Sequence, residues 1–201
     1  MNWRTALAGA LIALALWHFQ QDWMLRPVHP PDGEIAPLDP VQSNLAATRT
    51  IASGRWQLQA RAQYDITARI LSREVYRFDT LADLIPEDLA LGWGPMSDNR
   101  VLDHFTISQA ARFYSWHARD RMPIARQDVI DHSANTHVIP ANEVVRTQLK
   151  RLRVGEVVRL GGVLVDGVRN DGVYVHTSMT RSDSGAGSCE VVLVDSVERV
   201  R

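Results

Sequence analysis

The feature that most restricts the fold of this chain is a long alternation of apolar and polar residues. From residue 56 to 70 the sequence reads WQLQARAQYDITARI, with an apolar side chain at every second position. A period of two over this length predicts a β-strand with one buried face and one solvated face. A strand of this kind needs partner strands and a covering layer, so the stretch predicts a sheet-based domain.

Other segments of the chain supply partners for this strand. Valine-rich stretches at residues 157–165, 173–178 and 189–194 are separated by segments rich in Gly, Asn, Asp and Ser, and residues 112–116 (RFYSW) form an aromatic stretch. Short apolar segments with this turn punctuation predict an antiparallel sheet or a small barrel. The glycine pair at residues 161–162 suits a β-bulge or a sharply coiled strand.

Only short helices are expected beside the sheet. Asn142 is a suitable N-cap for a helix that continues to about Leu152 and ends at Gly155. The stretch from Asp79 to Leu91 predicts one or two helical turns interrupted at Pro86. The predicted fold class is therefore α+β, with one domain over residues 54–201 built on a bent antiparallel sheet or small barrel with a few short helices.

The amino-terminal segment has a different character. Residues 6–19 are apolar except for His18. A membrane-spanning helix needs roughly 20 apolar residues and at least about 17, a length that Trp3 to Phe19 reaches if Arg4 extends its charge to the headgroups. Trp3 and Trp17 lie near the two ends, where indole rings favour the membrane interface. Residues 1–19 are thus predicted to be a membrane anchor or a signal.

The charge distribution around this segment predicts a topology. Arg4 and the amino terminus precede the apolar run, and positive charge stays on the cytoplasmic side. The expectation is a single span in a bacterial inner membrane with a periplasmic C-terminal domain. Two alternatives remain open: a cleaved signal ending at Ala13-Leu14-Ala15, and a buried helix. Residues 20–53 carry most of the prolines and are predicted to form an extended tether.

Composition argues against several function classes. The chain has 22 Lys and Arg residues against 23 Asp and Glu, for a net charge of −1. Proteins that hold nucleic acid through its phosphates carry a basic excess, so no nucleic-acid partner is expected. With Cys189 as its one cysteine the chain forms no internal disulfide. Phosphate-binding and dinucleotide-binding glycine motifs are missing, and no cofactor is predicted.

The first candidate site is the segment DHSANTHVIP at residues 131–140, which is predicted to be a loop between helices. His132 and His137 stand among small polar residues there and are candidates for a general base, with Asn135 a candidate ligand contact. Their spacing differs from that of the His pair on a zinc-binding helix, and no metal site is predicted. The alternative is that these side chains cap turns.

The second candidate site is the Gly/Ser-rich segment at residues 176–190. His176 precedes Cys189 in a predicted hairpin, which makes Cys189 or Ser178 a candidate nucleophile and His176 a candidate base. Arg181 is a candidate for holding an anion. The alternative is a small buried cysteine at the start of a strand.

The same segment resembles the active-site stretch of L,D-transpeptidases in part. A histidine precedes the cysteine in both. Ser188, however, stands where that family has glycine directly before the cysteine, and Glu190 stands where it has an apolar residue. The resemblance therefore transfers no catalytic role to this chain.

The third candidate site is the turn LGWGPMSD at residues 91–98. Glycines on both sides of Trp93 allow it to present its indole to a ligand or to fill the core. Asp98 in the same turn and Arg112 are further candidate ligand contacts, and arginine is suited to hold an anionic group.

Several segments together are similar to a group of short, membrane-anchored bacterial proteins to which no activity is assigned. They are LGWGPMSD, SQAARFYSW, HSANTHVIPAN and TRSDSGAGSCEVVLV, in this order between residues 54 and 194. The resemblance implies one domain and one anchor, and nothing about site residues.

The sequence leads to two main functional hypotheses, beside a structural or assembly accessory without a site and a nucleic-acid-binding barrel that the neutral charge disfavours. The first is a membrane-anchored periplasmic domain that binds an envelope protein or a small ligand. The second is an envelope-acting hydrolase or transferase that uses a histidine with Ser178 or Cys189. A histidine within hydrogen-bond reach of one of these nucleophiles in a cleft favours the second hypothesis.

Overall fold

The computed structural model describes residue 3, residues 6–14, 25–180, 185 and 187–200. The described chain is α+β and consists mostly of strands. The strands are β1 (Val41–Asn44), β2 (Thr50–Ser53), β3 (Trp56–Val75), β4 (Glu87–Gly92), β5 (Phe105–Ala110), β6 (Phe113–Ala118), β7 (Ser133–Pro140), β8 (Val157–Arg169), β9 (Tyr174–Val175) and β10 (Glu190–Arg199). The helices are α1 (Asn99–Leu102), α2 (Arg126–Asp131) and α3 (Glu143–Leu149), and a 3-10 turn covers Gly94–Ser97.

Five strands close into a barrel around β3. This 20-residue strand follows the predicted alternation, and it is long enough to pair with β8 along its first part and with β4 along its last part. The ring then continues from β4 to β7, β10 and β8 and returns to β3. With α3 placed between β7 and β8, this order has the form of a five-stranded OB-type barrel. The alternating stretch therefore forms the strand that pairs with both β4 and β8 and so closes the barrel.

One pairing in the ring departs from the antiparallel expectation. β7 and β10 run parallel, with Glu190 opposite Thr136 and Val194 opposite Pro140. The other described pairings are antiparallel. Because of this parallel pairing, Cys189, the residue directly before β10, lies beside the middle of β7.

The expected β-bulge lies opposite the predicted glycines. The register of β10 shifts between Val194 and Ser196, which face Gly162 and Gly161 on β8. A Cβ atom at Gly162 would lie 2.1 Å from the carbonyl oxygen of Leu193. The glycines therefore allow β8 and β10 to approach closely where the barrel bends.

The apolar core has three parts. The barrel interior is filled by inward residues of all five ring strands and by α3, including Tyr64, Leu91 and Val192. A second cluster lies on the other face of β7 and β10, around Ile139 and Val191. A third lies between β4 and the β5–β6 hairpin. The hairpin and α2 thus cover part of the outer barrel surface.

Two stretches of the fold differ from the prediction. Residues 133–140, predicted as a loop between helices, form strand β7 and pair with strands on both sides. Residues 87–92, predicted as helical turns, form strand β4, all six of whose residues are buried. One hydrogen-bonded turn does precede Pro86, with Ile85 N–H donating to the Leu81 carbonyl. Strand pairing on both edges outweighs the weak local helix preference of these segments.

The proline-rich segment lies against the domain. Val28 N–H donates to the Val154 carbonyl, and Ala36 accepts from Gly94 N–H while being 1% exposed. β1 and β2 pair with β3. Residues 26–40 form neither helix nor strand and contain several bends, and backbone groups of this segment bond to the domain and so dock it there.

The amino-terminal prediction is described only in part. Residues 6–14 are helical and exposed. Within the described residues no helix has both the length and the apolar character needed to cross a membrane. The predicted span also includes Arg4 and residues 15–19, among them Trp17, which lie outside the described part of the chain.

Candidate functional site

Three adjacent barrel strands bring the candidate side chains together on the outer face. Asp88 on β4 stands directly opposite His137 on β7. Cys189 immediately precedes β10, whose first residue pairs with Thr136, between Asn135 and His137. Because alternate residues of a strand share a face, Asn135 and His137 point to the same side of β7.

Asp88, His137 and Cys189 form a hydrogen-bonded series. His137 Nδ1 lies 2.7 Å from Asp88 Oδ1, and the imidazole also bonds to the side chain of Cys189. Asp88 is fully buried, His137 is 8% exposed and Cys189 is half-buried. A carboxylate, an imidazole and a thiol thus follow one another across three strands.

The electrostatics of the site favour a charged imidazole. Burial lowers the pKa of His137, but the hydrogen bonds to Asp88 and Cys189 and their negative charges outweigh it and raise the pKa to about 9. His137 is therefore an imidazolium at neutral pH.

The raised pKa of His137 predicts a pH-dependent stability. An unfolded histidine has a pKa of about 6.5, so the folded state binds this proton more tightly. The resulting stabilisation is fully present below about pH 6.5 and is lost as the pH rises through about 9, a loss on the order of 3 kcal/mol. Urea unfolding across this window is expected to show the decline, and a His137→Gln variant should show a much flatter profile. A wild-type profile that is flat between these pH values would contradict the assignment.

Arg112 holds Asp88 in place. Its guanidinium lies 3.3 Å from Asp88 Oδ1 and donates to both oxygens of Asp79. It also donates to the Ile85 carbonyl and stacks 3.9 Å from the centre of the Tyr76 ring. Arg112 is thus a positioning residue, which acts on the series through its ion pair with Asp88.

The backbone at Arg112 is strained. Ala111 and Arg112 form the two-residue turn between β5 and β6, and both have a positive φ, of 50° and 69°. Such turns favour Asn and Gly, and a residue with a Cβ costs about 1 kcal/mol or more there. Tyr76 accepts from Arg112 N–H, and Asn135 donates to the Arg112 carbonyl. The strained turn is held because its neighbours bind both its backbone and its side chain.

Asn135 places an amide donor beside the sulfur. Its Nδ2 lies 3.7 Å from Cys189 Sγ and 3.1 Å from the Arg112 carbonyl. Gln109 donates to Asn135 Oδ1 at 2.7 Å. Because Oδ1 is occupied as an acceptor, the amide is oriented with its NH₂ group toward Cys189.

The series opens into a cleft of about 320 Å³ between the hairpin and the barrel. This volume falls at the lower end of small-molecule and cofactor sites. Its walls come from β6, from α2, from the start of β7 and from the segment around Cys189. The lining residues are Phe113, Tyr114, Ser115, Trp116, His117, Arg126, Ile130, Ser133, Ala134, Asn135, Gly185, Ser188, Cys189 and Glu190.

The other predicted bases and nucleophile have different partners. The His132 ring bonds to the Asp128 carbonyl at 2.8 Å, at the end of α2. His176 pairs with Asp166 at 2.7 Å on the exposed side of β8. The Ser178 hydroxyl donates to the Thr180 carbonyl and accepts from Thr180 N–H. The histidine expected beside Cys189 was His176, and the structure places His137 there instead.

The predicted ligand contacts also lie in different parts of the molecule. Asn135 and Arg112 belong to the site, whereas Trp93 is 2% exposed and fills the core. Asp98 caps α1, and its hydrogen bond from Arg100 lowers its pKa to about 2. Arg181 lies outside the described residues.

Two members of the site lie in segments where the sequence predicts no site residue. Asp88 lies in a segment predicted as helical turns, and Gln109 lies in an unremarkable strand. The acidic pair Glu87 and Asp88, directly before the apolar residues 89–91, is the available hint for Asp88. Among the described residues no group of three or more His, Cys, Asp and Glu side chains is arranged to hold a metal ion.

Comparison of the chain with protein families, with curated proteins and with solved structures gave no match.

Proposed function

We propose that this chain is an enzyme that transfers acyl groups through a thioester on Cys189, as a hydrolase or a transferase. The observation that carries the proposal is the series Asp88, His137 and Cys189, ending in a cleft. The same geometric relation of nucleophile, base and orienting group recurs on unrelated folds that perform acyl transfer. Ligand binding in the cleft is then the first step of the reaction.

The geometry supports a two-step mechanism. The Cys189 sulfur attacks the acyl carbon of an ester or amide and forms an S–C bond, while the carbonyl oxygen takes up the electron pair. The bond to the leaving group then breaks, and the leaving group takes the proton from His137. In the second step His137 accepts a proton from water, or from an acceptor amine or alcohol, which attacks the thioester and releases the sulfur.

The neighbouring residues support each charge in this mechanism. Asp88 keeps Nδ1 protonated and fixes the orientation of the ring, so that Nε2 exchanges the proton. The Asn135 amide is the donor for the oxyanion, since its NH₂ group faces the reacting sulfur. Arg112 offsets the charge of the buried Asp88 carboxylate.

We also propose that the domain is anchored in an inner membrane and acts in the envelope. The helical residues 6–14 expose Leu7, Leu11, Ile12 and Leu14 by 52% to 61%. Exposed apolar side chains in a row mark an interaction with lipid or protein. An active alkaline phosphatase fused after residue 200 is the expected result, and an inactive fusion with intact protein would contradict the placement.

The experiment that tests the enzymatic proposal is acylation by p-nitrophenyl acetate. The folded protein is expected to release one equivalent of p-nitrophenol in a burst and to carry one acetyl group on the peptide that contains Cys189. Mass spectrometry of a digest locates the acetyl group and separates Cys189 from Ser178. Equal acetylation of Cys189 in folded and in urea-unfolded protein would overturn the proposal, because the activation comes from the folded arrangement.

A further inference from the structure

We infer that the acyl donor is an acidic peptide, bound in extended form along the free edge of β6. This inference rests on the proposed function and specifies its substrate class.

The cleft runs along the edge of β6 and not along one of its faces. Five consecutive residues of this strand, 113–117, line it. Successive side chains of a strand point to opposite faces, so a cavity touched by all five lies beside the strand edge. β6 pairs with β5 on one side, and no other described strand pairs with it. Its second edge therefore presents backbone N–H and C=O groups to the cleft.

An unpaired strand edge that borders a cleft suits an extended peptide. Main-chain hydrogen bonds to such an edge provide affinity for any peptide sequence, and side-chain pockets provide selectivity. The opposite wall contains Asn135, Ser188 and Cys189. In an extended peptide the carbonyls of alternate residues point to opposite edges, so a peptide paired with β6 turns every second carbonyl toward this wall.

Arg126 gives the cleft a preference for negative charge. Its guanidinium lies over the Trp116 ring, 5.0 Å from the ring centre, and Trp116 packs edge-on against Phe105. The charged side chains among the described lining residues include Arg126 and Glu190; Glu190 is 5% exposed, whereas Arg126 is exposed and presents the accessible charge. A guanidinium held on an aromatic ring is well placed to pair with a carboxylate. The expected substrate therefore carries a Glu or Asp side chain, or a terminal carboxylate, near the acyl group.

Peptidyl chloromethyl ketones test this inference directly. The Cys189 sulfur displaces chloride from such a reagent and forms a thioether, so the second-order rate of inactivation measures recognition. Three chloromethyl ketones are compared: those of acetyl-Ala-Glu-Ala, of acetyl-Ala-Lys-Ala and of a glutamyl peptide with one N-methylated backbone amide. Iodoacetamide is the small reference reagent.

The inference predicts a specific order of rates. The glutamyl peptide should react about fivefold faster than the lysyl peptide, a ratio typical of a partly exposed ion pair. N-methylation should lower its rate about fivefold, the effect of one lost hydrogen bond. In Arg126→Gln the preference for the glutamyl peptide should disappear, whereas Arg159→Gln, which removes an exposed arginine on β8, should keep it.

The possible failures can be told apart. If the glutamyl, lysyl and N-methylated peptides react alike relative to iodoacetamide, the peptide inference is wrong, while the proposed nucleophile stands. If neither peptides nor iodoacetamide react faster with the folded chain than with the unfolded chain, the proposed function itself fails. A preference for the lysyl peptide would also overturn the inference.

Discussion

A His137→Gln variant is expected to transfer the acyl group of p-nitrophenyl acetate about a thousandfold more slowly than the natural chain, the usual contribution of a general acid–base residue. Glutamine keeps a similar size and a donor for Asp88, but it neither carries the positive charge nor exchanges the proton. The rate of the p-nitrophenol burst, measured at neutral pH, gives the comparison.

Two further variants make this result specific. His176→Gln removes a half-exposed histidine that pairs with Asp166 away from the cleft, and it should leave the rate unchanged. Asn135→Ala should slow acetylation about a hundredfold through loss of the oxyanion donor. The same variant should leave alkylation by iodoacetamide nearly as fast as before, because that displacement forms no oxyanion. A rate loss in His176→Gln equal to that in His137→Gln would contradict the assignment of the base.

The second large effect concerns stability, and Trp93 is the residue that carries it. Trp93→Ala is expected to lower the free energy of unfolding by about 4 kcal/mol. The indole is 2% exposed in the barrel interior cluster, and its N–H donates to Asp39 at 3.1 Å. The substitution therefore leaves a large cavity. It also removes the hydrogen bond to Asp39 that holds the proline-rich segment to the barrel.

Trp93→Phe is the matched control, because it keeps an aromatic ring and loses the N–H group. Its free energy of unfolding should be about 1 to 2 kcal/mol lower than that of the natural chain, because one buried hydrogen bond is lost and a smaller cavity is left. Urea titration gives both values from the shift in midpoint. If Trp93→Ala unfolds at the same urea concentration as the natural chain, the indole is not part of the core and its predicted ligand role becomes the better explanation.

The fold was predictable where a regular pattern covers a whole element. The alternation from Trp56 to Ile70 predicted β3, and Asn142 predicted the start of α3, where its side chain accepts from Val145 N–H. β7 and β4 were missed because central strands paired on both edges do not need a clean alternation. In β7 small polar residues occupy the outer face, and the hairpin covers them.

The site was predictable as a set of residues but not as an arrangement. Cys189, His137, Asn135 and Arg112 were each named as candidates, in three separate segments. Which histidine meets the cysteine depends on the parallel register of β7 and β10, and a register between distant strands is not visible in one sequence. Asp88 had no signal of its own, because its role follows from standing opposite His137.

The large separation of these residues along the chain gives the thiol a dependence on folding. Asp88 and His137 are 49 positions apart, and Cys189 arrives only with the strand that completes the barrel. A chain still emerging from the ribosome therefore carries Asp88 and His137 before Cys189 can join them. Under the proposed function, the nucleophile is therefore assembled only when the barrel closes, and its maturation and the completion of the fold are the same event.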